Sequence, residues 1–475
     1  MFSFLISIVA LILGYLFYGK FVEKTIGIDP SRPTPAISMK DGLDYVELPF
    51  WKVFLIQFLN IAGTGPIFGA IAGAMWGPWA FVWIVFGCVI GGATHDLLVG
   101  MMSVRAKGTS ISELVGQNLG EVARKIMIGF SIVLLLLVGV VFIASPADLL
   151  ADLTSMNRWI FVAIIFVYYL LATVLPIDKI IGKLYPVFGI ALLIMCFGIF
   201  GGMIFSGLIT EIPEFAFTNP NPTGKSVFPY VCISIACGAI SGFHATQTPM
   251  MARCIGNEKQ ARKVFYGAMI VEGVVALIWA AASMTFFGGL EGLAAAGPAA
   301  VVVNKISEGL LGPAGMVLAV LGVVACPITS GDTAFRAIRL TIGDSFGIDQ
   351  AKKRNRYIIV LPLFAAALAL LFIDFNIIWR YFSWSNQTLA MIALWTAAAY
   401  LKKNGKNYFV ALIPAMFMTV VTTCYILVAP EGFYGLIKGF FSDIKAAETA
   451  GIYIGSALAI IGAFFFTKKI KKDSI

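Results

Sequence analysis

Two glycine-rich stretches decide the fold of this chain: Asn60-Ile61-Ala62-Gly63-Thr64-Gly65-Pro66 and Cys237-Gly238-Ala239-Ile240-Ser241-Gly242-Phe243-His244. Each lies within an apolar run that is long enough to cross a bilayer. Ordinary membrane helices avoid such breaks, because hydrocarbon offers no water to the backbone groups that a broken helix releases. Irregular backbone is tolerated at this depth where it is buried in protein or lines a cavity. Two such breaks therefore indicate a transporter with a substrate site between them.

The composition indicates a polytopic membrane protein. Of the 475 residues, 59% are hydrophobic and only 12% are charged, and the mean hydropathy is +0.91. This excludes a soluble domain with a polar surface. The net charge of +9 does not indicate nucleic-acid binding, because the basic residues lie in short loops between apolar runs. The seven cysteines lie in or beside apolar runs without paired spacing, which supports neither a disulfide framework nor a zinc site.

The apolar stretches number about thirteen. Their approximate bounds are 2–19, 50–75, 78–103, 126–148, 158–176, 183–210, 227–253, 264–287, 313–338, 357–373, 377–401, 407–428 and 450–467. Lys and Arg concentrate in the loops that follow odd-numbered stretches. The positive-inside rule then predicts an external N-terminus and a cytoplasmic C-terminal tail.

The two breaks fall in stretches two and seven, so five stretches separate them. An odd offset means that the broken helices cross the membrane in opposite directions. The pattern predicts an all-α polytopic protein with a LeuT-like 5+5 inverted repeat, two unwound helices and about three additional transmembrane helices. The predicted divisions are an extra N-terminal helix and cytoplasmic loop at 1–49, a first repeat at 50–210, an inverted second repeat at 211–401 and two further helices with a basic tail at 402–475.

Five runs, spread over roughly residues 50 to 400, carry a family resemblance: Ala62–Gly69, Gly92–Asp96, Ala236–His244, Ser330–Arg339 and Ser385–Ala390. Together they resemble the carbon-starvation protein (CstA) family. The run Gly238-Ala239-Ile240-Ser241-Gly242-Phe243-His244 is the most specific of them. The resemblance implies a peptide or pyruvate transporter of the prokaryotic inner membrane, induced when carbon runs short, within the same superfamily as LeuT-type carriers.

The broken helices are predicted to bind a carboxylate. Half-helix N-termini present free amides and a positive dipole end, and the Ser241 hydroxyl and His244 imidazole add donors. This geometry does not separate peptides from pyruvate, since both carry a carboxylate. The alternative is that the glycines only allow close helix packing. The predicted substrate-binding residues are Gly63, Thr64, Gly65, Pro66, Gly238, Ser241, Gly242, Phe243, His244 and Asn386.

Ionisable residues within the spans are the candidates for ion or proton coupling. His244 is a candidate for carrying a proton or for donating a hydrogen bond to the substrate. The alternative is a neutral histidine that is hydrogen-bonded to a backbone carbonyl. His95 and Asp96 either relay protons or belong to a packing network. Asp332 either releases a proton or pairs with Arg336 one turn away.

A sodium site is the alternative to proton coupling. The LeuT arrangement implies a sodium between the first unwound helix and hydroxyls of stretch nine, which here means Ala62, Gly65, Thr329 and Ser330. Carbonyl and hydroxyl oxygens suit a hard cation. Asn386 either lines the path or bonds between helices, the commoner use of such residues in membranes.

Other function classes lack their signatures. The sequence has no filter-like repeat of a channel, no metal or nucleophile set of an enzyme and no nucleotide-binding loop. It predicts a secondary active importer of the inner membrane, coupled to protons or sodium and without a cofactor. An amino-acid or other small-solute symporter and a transporter-like nutrient sensor are the alternatives. The expected partners are a small-molecule substrate and the bilayer, with no nucleic acid; a homo-oligomer is compatible with the sequence.

Overall fold

The computed structural model describes residues 1–42, 44–173, 177–349 and 352–469, except for the side chains of 177–185, 344–345 and 469. The regular structure within these ranges is entirely helical. The basic tail beyond residue 469 lies outside the described residues.

The helices follow the predicted apolar stretches in order, and each stretch overlaps at least one of them. Their bounds are α1 Phe2–Leu13, α2 Gly19–Ile26, α3 Pro35–Ser38, α4 Phe50–Ile61, α5 Gly65–Gly73, α6 Trp79–Phe86, α7 Ala93–Arg105, α8 Ile111–Leu119, α9 Glu121–Thr154, α10 Arg158–Ala172, α11 Ile177–Phe205, α12 Tyr230–Ser234, α13 Gly242–Ala252, α14 Gly267–Phe286, α15 Leu290–Ala295, α16 Ala299–Ala319, α17 Ala325–Phe346, α18 Lys353–Leu370, α19 Phe375–Lys403, α20 Phe409–Val428, α21 Tyr434–Ile437 and α22 Ile444–Lys469.

Fewer spans meet a strict test than the sequence predicts. Among the described residues, eight are long and apolar enough to cross a membrane, or nine if the bent pair of α4 and α5 counts as one. The other predicted spans are short, broken or more polar. Helix α10 has 15 residues, α12 and α13 are separated by a break, and α18 begins with basic residues. A helix enclosed by others can carry polar groups, so the stretches are helical even where hydropathy is low.

Both predicted breaks are present. Helices α4 and α5 meet at an angle of 46°, and Pro66 lies in the first turn of α5, where its missing N–H costs no helical hydrogen bond. The second break spans residues 235–241, between α12 and α13. There Gly238 has φ +87°, a left-handed conformation that favours glycine. The chain therefore leaves the helix at the positions where its sequence permits it.

The additional helices pack around the core. Helix α1 packs against α14 and α6, with the Phe4 and Phe81 rings 5.8 Å apart. At the other end of the chain, α22 packs on α20, which packs on α19. The α20–α22 contact is close because a Cβ atom at Gly455 would lie only 2.9 Å from Val420 Cα. Small residues allow this approach.

Candidate functional site

The two breaks lie against each other. A Cβ atom added to Gly65 would lie 2.4 Å from Cys237 Cβ, and one added to Gly69 would lie 3.0 Å from the Ser234 carbonyl oxygen. On the other side, a Cβ on Gly238 would lie 3.5 Å from Pro66 Cα. The glycines thus serve the close packing that was the alternative interpretation. The same packing brings both unwound segments to one place.

The start of α13 is held by a side chain from another helix. Asn386 of α19 accepts hydrogen bonds from the Phe243 backbone N–H at 2.7 Å and the Ser241 hydroxyl at 3.1 Å. Its amide nitrogen lies 3.0 Å from Ser241 Oγ and 3.4 Å from Cys237 Sγ. Asn386 therefore acts as an N-cap supplied across the helix interface, which is the interhelical role that the sequence left open.

Four ionisable side chains meet beside the second break. Asp96 Oδ1 lies 2.8 Å from His95 Nδ1, and Asp96 Oδ2 lies 3.0 Å from His244 Nδ1. The other ring nitrogen of His244, Nε2, lies 3.5 Å from Glu272 Oε2. All four side chains are fully buried. His244 is thus bonded to a carboxylate rather than to the carbonyl considered in the sequence analysis.

This cluster has room for one mobile proton. An ionised Asp96 only accepts, so both imidazoles then carry a hydrogen on Nδ1. The remaining pair, His244 Nε2 and Glu272 Oε2, lies 3.5 Å apart and can hold one proton on either atom. Neither atom has another hydrogen-bond partner in the part of the chain that the structure describes.

Glu272 also reaches the break itself. Its Oε1 accepts the Gly238 backbone N–H at 3.0 Å, one of the amides that the unwinding releases. Sequence reasoning missed Glu272, although the signal was present. It is a lone acidic residue within the apolar run of α14, and intramembrane ionisable residues are functional candidates by default.

The first break keeps polar atoms without protein partners. Thr64 Oγ1 and both side-chain amide atoms of Asn60 are buried and have no hydrogen-bond partner among the described residues. Buried polar groups of native proteins are normally satisfied by protein, water or ligand. These atoms therefore supply polar contacts for a bound solute next to Gly63 and Gly65.

The predicted sodium ligands are only partly brought together. Ser330 Oγ donates to the Leu59 carbonyl at 3.2 Å, and the Cys326 thiol lies 3.4 Å from the Ala62 carbonyl oxygen. Thr329 donates to a carbonyl of its own helix at 2.7 Å. Carbonyls at the end of α4 thus accept protein donors. In the described residues, no three His, Cys, Asp or Glu side chains are arranged to hold a metal ion.

Asp332 forms the ion pair that was its alternative interpretation. Its Oδ2 lies 4.0 Å from Arg336 NH2, one helical turn away, and both side chains are buried. Asp332 is therefore separate from the cluster around His244 and sits in a charge pair of its own helix.

A cavity of about 720 Å³ lies outside the site. It is bordered by α5, the end of α9, the segment from α15 to α16 and the start of α19, and its lining includes Asp148, Asp152 and Trp379. The Phe68 ring lies 5.9 Å from that of Trp379 and 6.4 Å from that of Phe375. None of the predicted substrate-binding residues borders this cavity. Three neighbouring aromatic side chains, Phe68, Phe375 and Trp379, thus line one part of the cavity.

An all-helical membrane bundle with two facing helix breaks and buried ionisable groups defines a secondary transporter of the LeuT type. The solved structure of a Na⁺-coupled sialic acid symporter in a substrate-bound outward-open state matches with a TM-score of 0.55 at 12% identity, covering 97% of this chain and 96% of that one. The predicted fold is confirmed. The chain belongs to the family described as Carbon starvation protein CstA, whose profile matches residues 1–162, 145–287 and 278–425.

A Haemophilus influenzae protein described as an uncharacterized membrane protein is 42% identical, over 60% of this chain and 91% of its own length. Other curated relatives carry transporter names. A protein of Bacillus subtilis named peptide transporter CstA is 26% identical, over 98% of this chain and 96% of its own length. A protein of Escherichia coli named pyruvate/proton symporter BtsT is 27% identical, over 57% of this chain and 47% of its own length. The family resemblance found in the sequence is confirmed, and the relatives that carry a functional name are named as transporters.

Proposed function

We propose that this protein is a proton-coupled importer of a small carboxylate-bearing nutrient, a peptide or pyruvate, in the inner membrane. The observation that carries the proposal is the position of His244. It lies in the first turn of the helix that follows the second break, and its two ring nitrogens face Asp96 and Glu272. His244 thereby belongs both to the helix that follows the second break and to the buried proton-binding pair that it forms with Glu272.

The substrate carboxylate binds between the breaks in this proposal. The N-termini of α5 and α13 present backbone amides and positive dipole ends. Thr64 and Asn60 offer polar atoms without protein partners in the described part of the chain. The backbone that approaches the substrate takes its shape from Gly63, Gly65, Pro66, Gly238 and Gly242.

Electrostatics gives the reason for coupling. A substrate carboxylate enters a buried site that already holds Asp96 and Glu272. Two like charges about 4 Å apart repel by about 4 kcal/mol at an effective dielectric constant of about 20. A proton taken up between His244 and Glu272 removes one negative charge from the site. Substrate and proton therefore bind together more favourably than either does alone.

Proton coupling is favoured over sodium coupling by the same geometry. Two of the predicted sodium ligands already have protein partners: the Ala62 carbonyl oxygen lies 3.4 Å from the Cys326 thiol, and the Ser330 hydroxyl donates to the Leu59 carbonyl. A proton bound between His244 and Glu272, in contrast, needs no other coordinating residue.

The orientation and domain division complete the proposal. The N-terminus lies outside and the C-terminus in the cytoplasm, as the distribution of basic loops indicates. The repeats at 50–210 and 211–401 move against each other to alternate access. The cavity bounded by Phe68 and Trp379 is then the external vestibule.

Uptake of labelled pyruvate into proteoliposomes tests this function. An inward proton gradient is imposed, and unlabelled short peptides are offered as competitors. We expect gradient-driven accumulation that His244→Ala and Ser241→Ala weaken. A matched control is Thr396→Val, since Thr396 is buried in α19 and its hydroxyl donates to the Ile392 carbonyl of the same helix.

Two outcomes contradict the proposal. Accumulation that requires sodium and ignores the proton gradient excludes proton coupling. Retained ligand binding without flux, in sealed vesicles, identifies a nutrient sensor instead.

A further inference from the structure

A second cavity, of about 410 Å³, lies on the outer flank of the bundle. It is formed by α6 and the π-helical turn Gly87–Gly92, by α12 and the second break, and by α20. Its lining is almost wholly apolar. Its volume falls in the range of pockets that bind small molecules. None of the predicted substrate-binding residues lines it.

The rim of this cavity faces the membrane. Phe86 and Ile413 are each 60% exposed, and Phe417 is 44% exposed. Phe86 belongs to the span Trp79–Arg105, and the other two belong to the span Phe409–Val428. Large apolar side chains that are exposed on membrane spans contact hydrocarbon. The opening of the cavity is therefore continuous with the lipid-facing surface.

The inner wall belongs to the broken helix. Cys232 lies in α12, directly before the unwound segment, and is 4% exposed, and Ile240 lies within that segment and is fully buried. The Trp83 indole also lines the cavity and donates to the Ile235 carbonyl at 3.1 Å. An occupant of the cavity thus contacts residues of the second break, which binds substrate in our proposal.

We propose that this cavity binds one acyl chain of a bilayer lipid. An apolar cavity of this size excludes water, which needs polar partners to be stable inside a protein. Hydrocarbon is the solvent at its opening, and it matches the lining. The bound chain packs against Cys232 and Ile240 and supports the outer face of the second break.

Photo-crosslinking tests the site. The full chain is reconstituted into phosphatidylethanolamine vesicles that contain a phospholipid with a diazirine in the middle of one acyl chain. After irradiation, mass spectrometry of peptides locates the label. We expect label on Cys232 or Ile240 at a level close to that on the exposed rim residue Phe86. We expect several-fold less on Ile278, which is 2% exposed and does not line the cavity.

A cavity-filling variant provides the second measurement. Val82 lines the cavity and is only partly buried, so Val82→Trp adds volume there. The label on Cys232 and Ile240 should fall to the level of Ile278, whereas label on Phe465, exposed on α22, should not change. The proposal is overturned if the wild-type label is confined to exposed residues. It is equally overturned if the inner wall crosslinks to a second protein chain, or if Val82→Trp leaves the pattern unchanged in folded protein.

Discussion

Replacement of Glu272 by glutamine should separate substrate exchange from proton coupling. The Glu272 side chain accepts the Gly238 N–H through Oε1 and faces His244 Nε2 through Oε2. A glutamine oxygen keeps the first contact, and its NH2 group donates to the imidazole as a protonated acid does. The variant therefore imitates the proton-loaded state but has no proton to release.

The magnitude follows from the two contacts. The bond to Gly238 changes from a charge-assisted to a neutral hydrogen bond, which costs about 1 kcal/mol. Against this cost, the variant removes the Glu272 charge and with it a repulsion of about 4 kcal/mol toward a substrate carboxylate about 4 Å away, so substrate affinity should not fall. The expected effect on gradient-driven accumulation is larger than the effect on substrate affinity. One coupled proton and a gradient of one pH unit drive about tenfold accumulation, and the variant should show none.

The assay compares two modes in the same proteoliposomes. Counterflow exchange of labelled against unlabelled substrate needs no net proton movement, and accumulation under an imposed gradient does. Glu448→Gln is the matched control, because Glu448 is also a largely buried acid but lies on α22, bonded to Ser226 at 2.6 Å. Wild-type accumulation by Glu272→Gln would refute the reasoning. Loss of exchange together with accumulation would also refute it, because it would make Glu272 a purely structural residue.

Three further variants test the neighbouring contacts. Asn386→Ala removes the cap of α13 and leaves buried donors unpaired, so it should lower stability by about 2 to 4 kcal/mol in thermal unfolding, whereas Thr396→Val should cost less than half as much. Gly238→Ala forces a side chain into φ +87° and a 2.7 Å contact with a neighbouring Cβ atom; uptake should be lost, while Gly201→Ala, with no atom within 4 Å, should leave it intact. Sodium should not shift the melting temperature of either the wild type or Ser330→Ala, and a sodium-dependent rise in the wild type alone would restore the sodium site.

The sequence was most informative where the residue type alone determines the backbone conformation, as glycine and proline do at the helix breaks. Gly63, Gly65 and Pro66 cannot continue a membrane helix without penalty, so the first break could be placed within a few residues. The left-handed Gly238 marks the second break for the same reason. The offset between the two breaks then predicted the inverted repeat, and hence the fold, without any tertiary contact.

The cluster around His244 could not be predicted from the spacing of residues in the sequence. Asp96 and His244 are 148 positions apart in the chain, and periodicity within either helix does not reveal that they meet. Glu272 could have been recognised from the sequence, because it is an isolated acidic residue in an apolar run. It lies outside the glycine-rich motifs from which the site was predicted. Asp332 shows the opposite case. Its partner Arg336 is one turn away, so the local rule for ion pairs offered this contact as one of the two interpretations.

The contact between Glu272 and Gly238 links proton binding to the shape of the broken helix. Unwinding at Gly238 frees an amide that a continuous helix would satisfy, and the buried carboxylate satisfies it instead. A carboxylate accepts this bond more strongly when ionised than when protonated. Proton uptake therefore weakens the hold on the unwound backbone, and by reciprocity any change in that backbone alters proton affinity. Substrate bound at the same backbone acts on the same equilibrium, so the break itself can transmit coupling without a separate relay between substrate and proton.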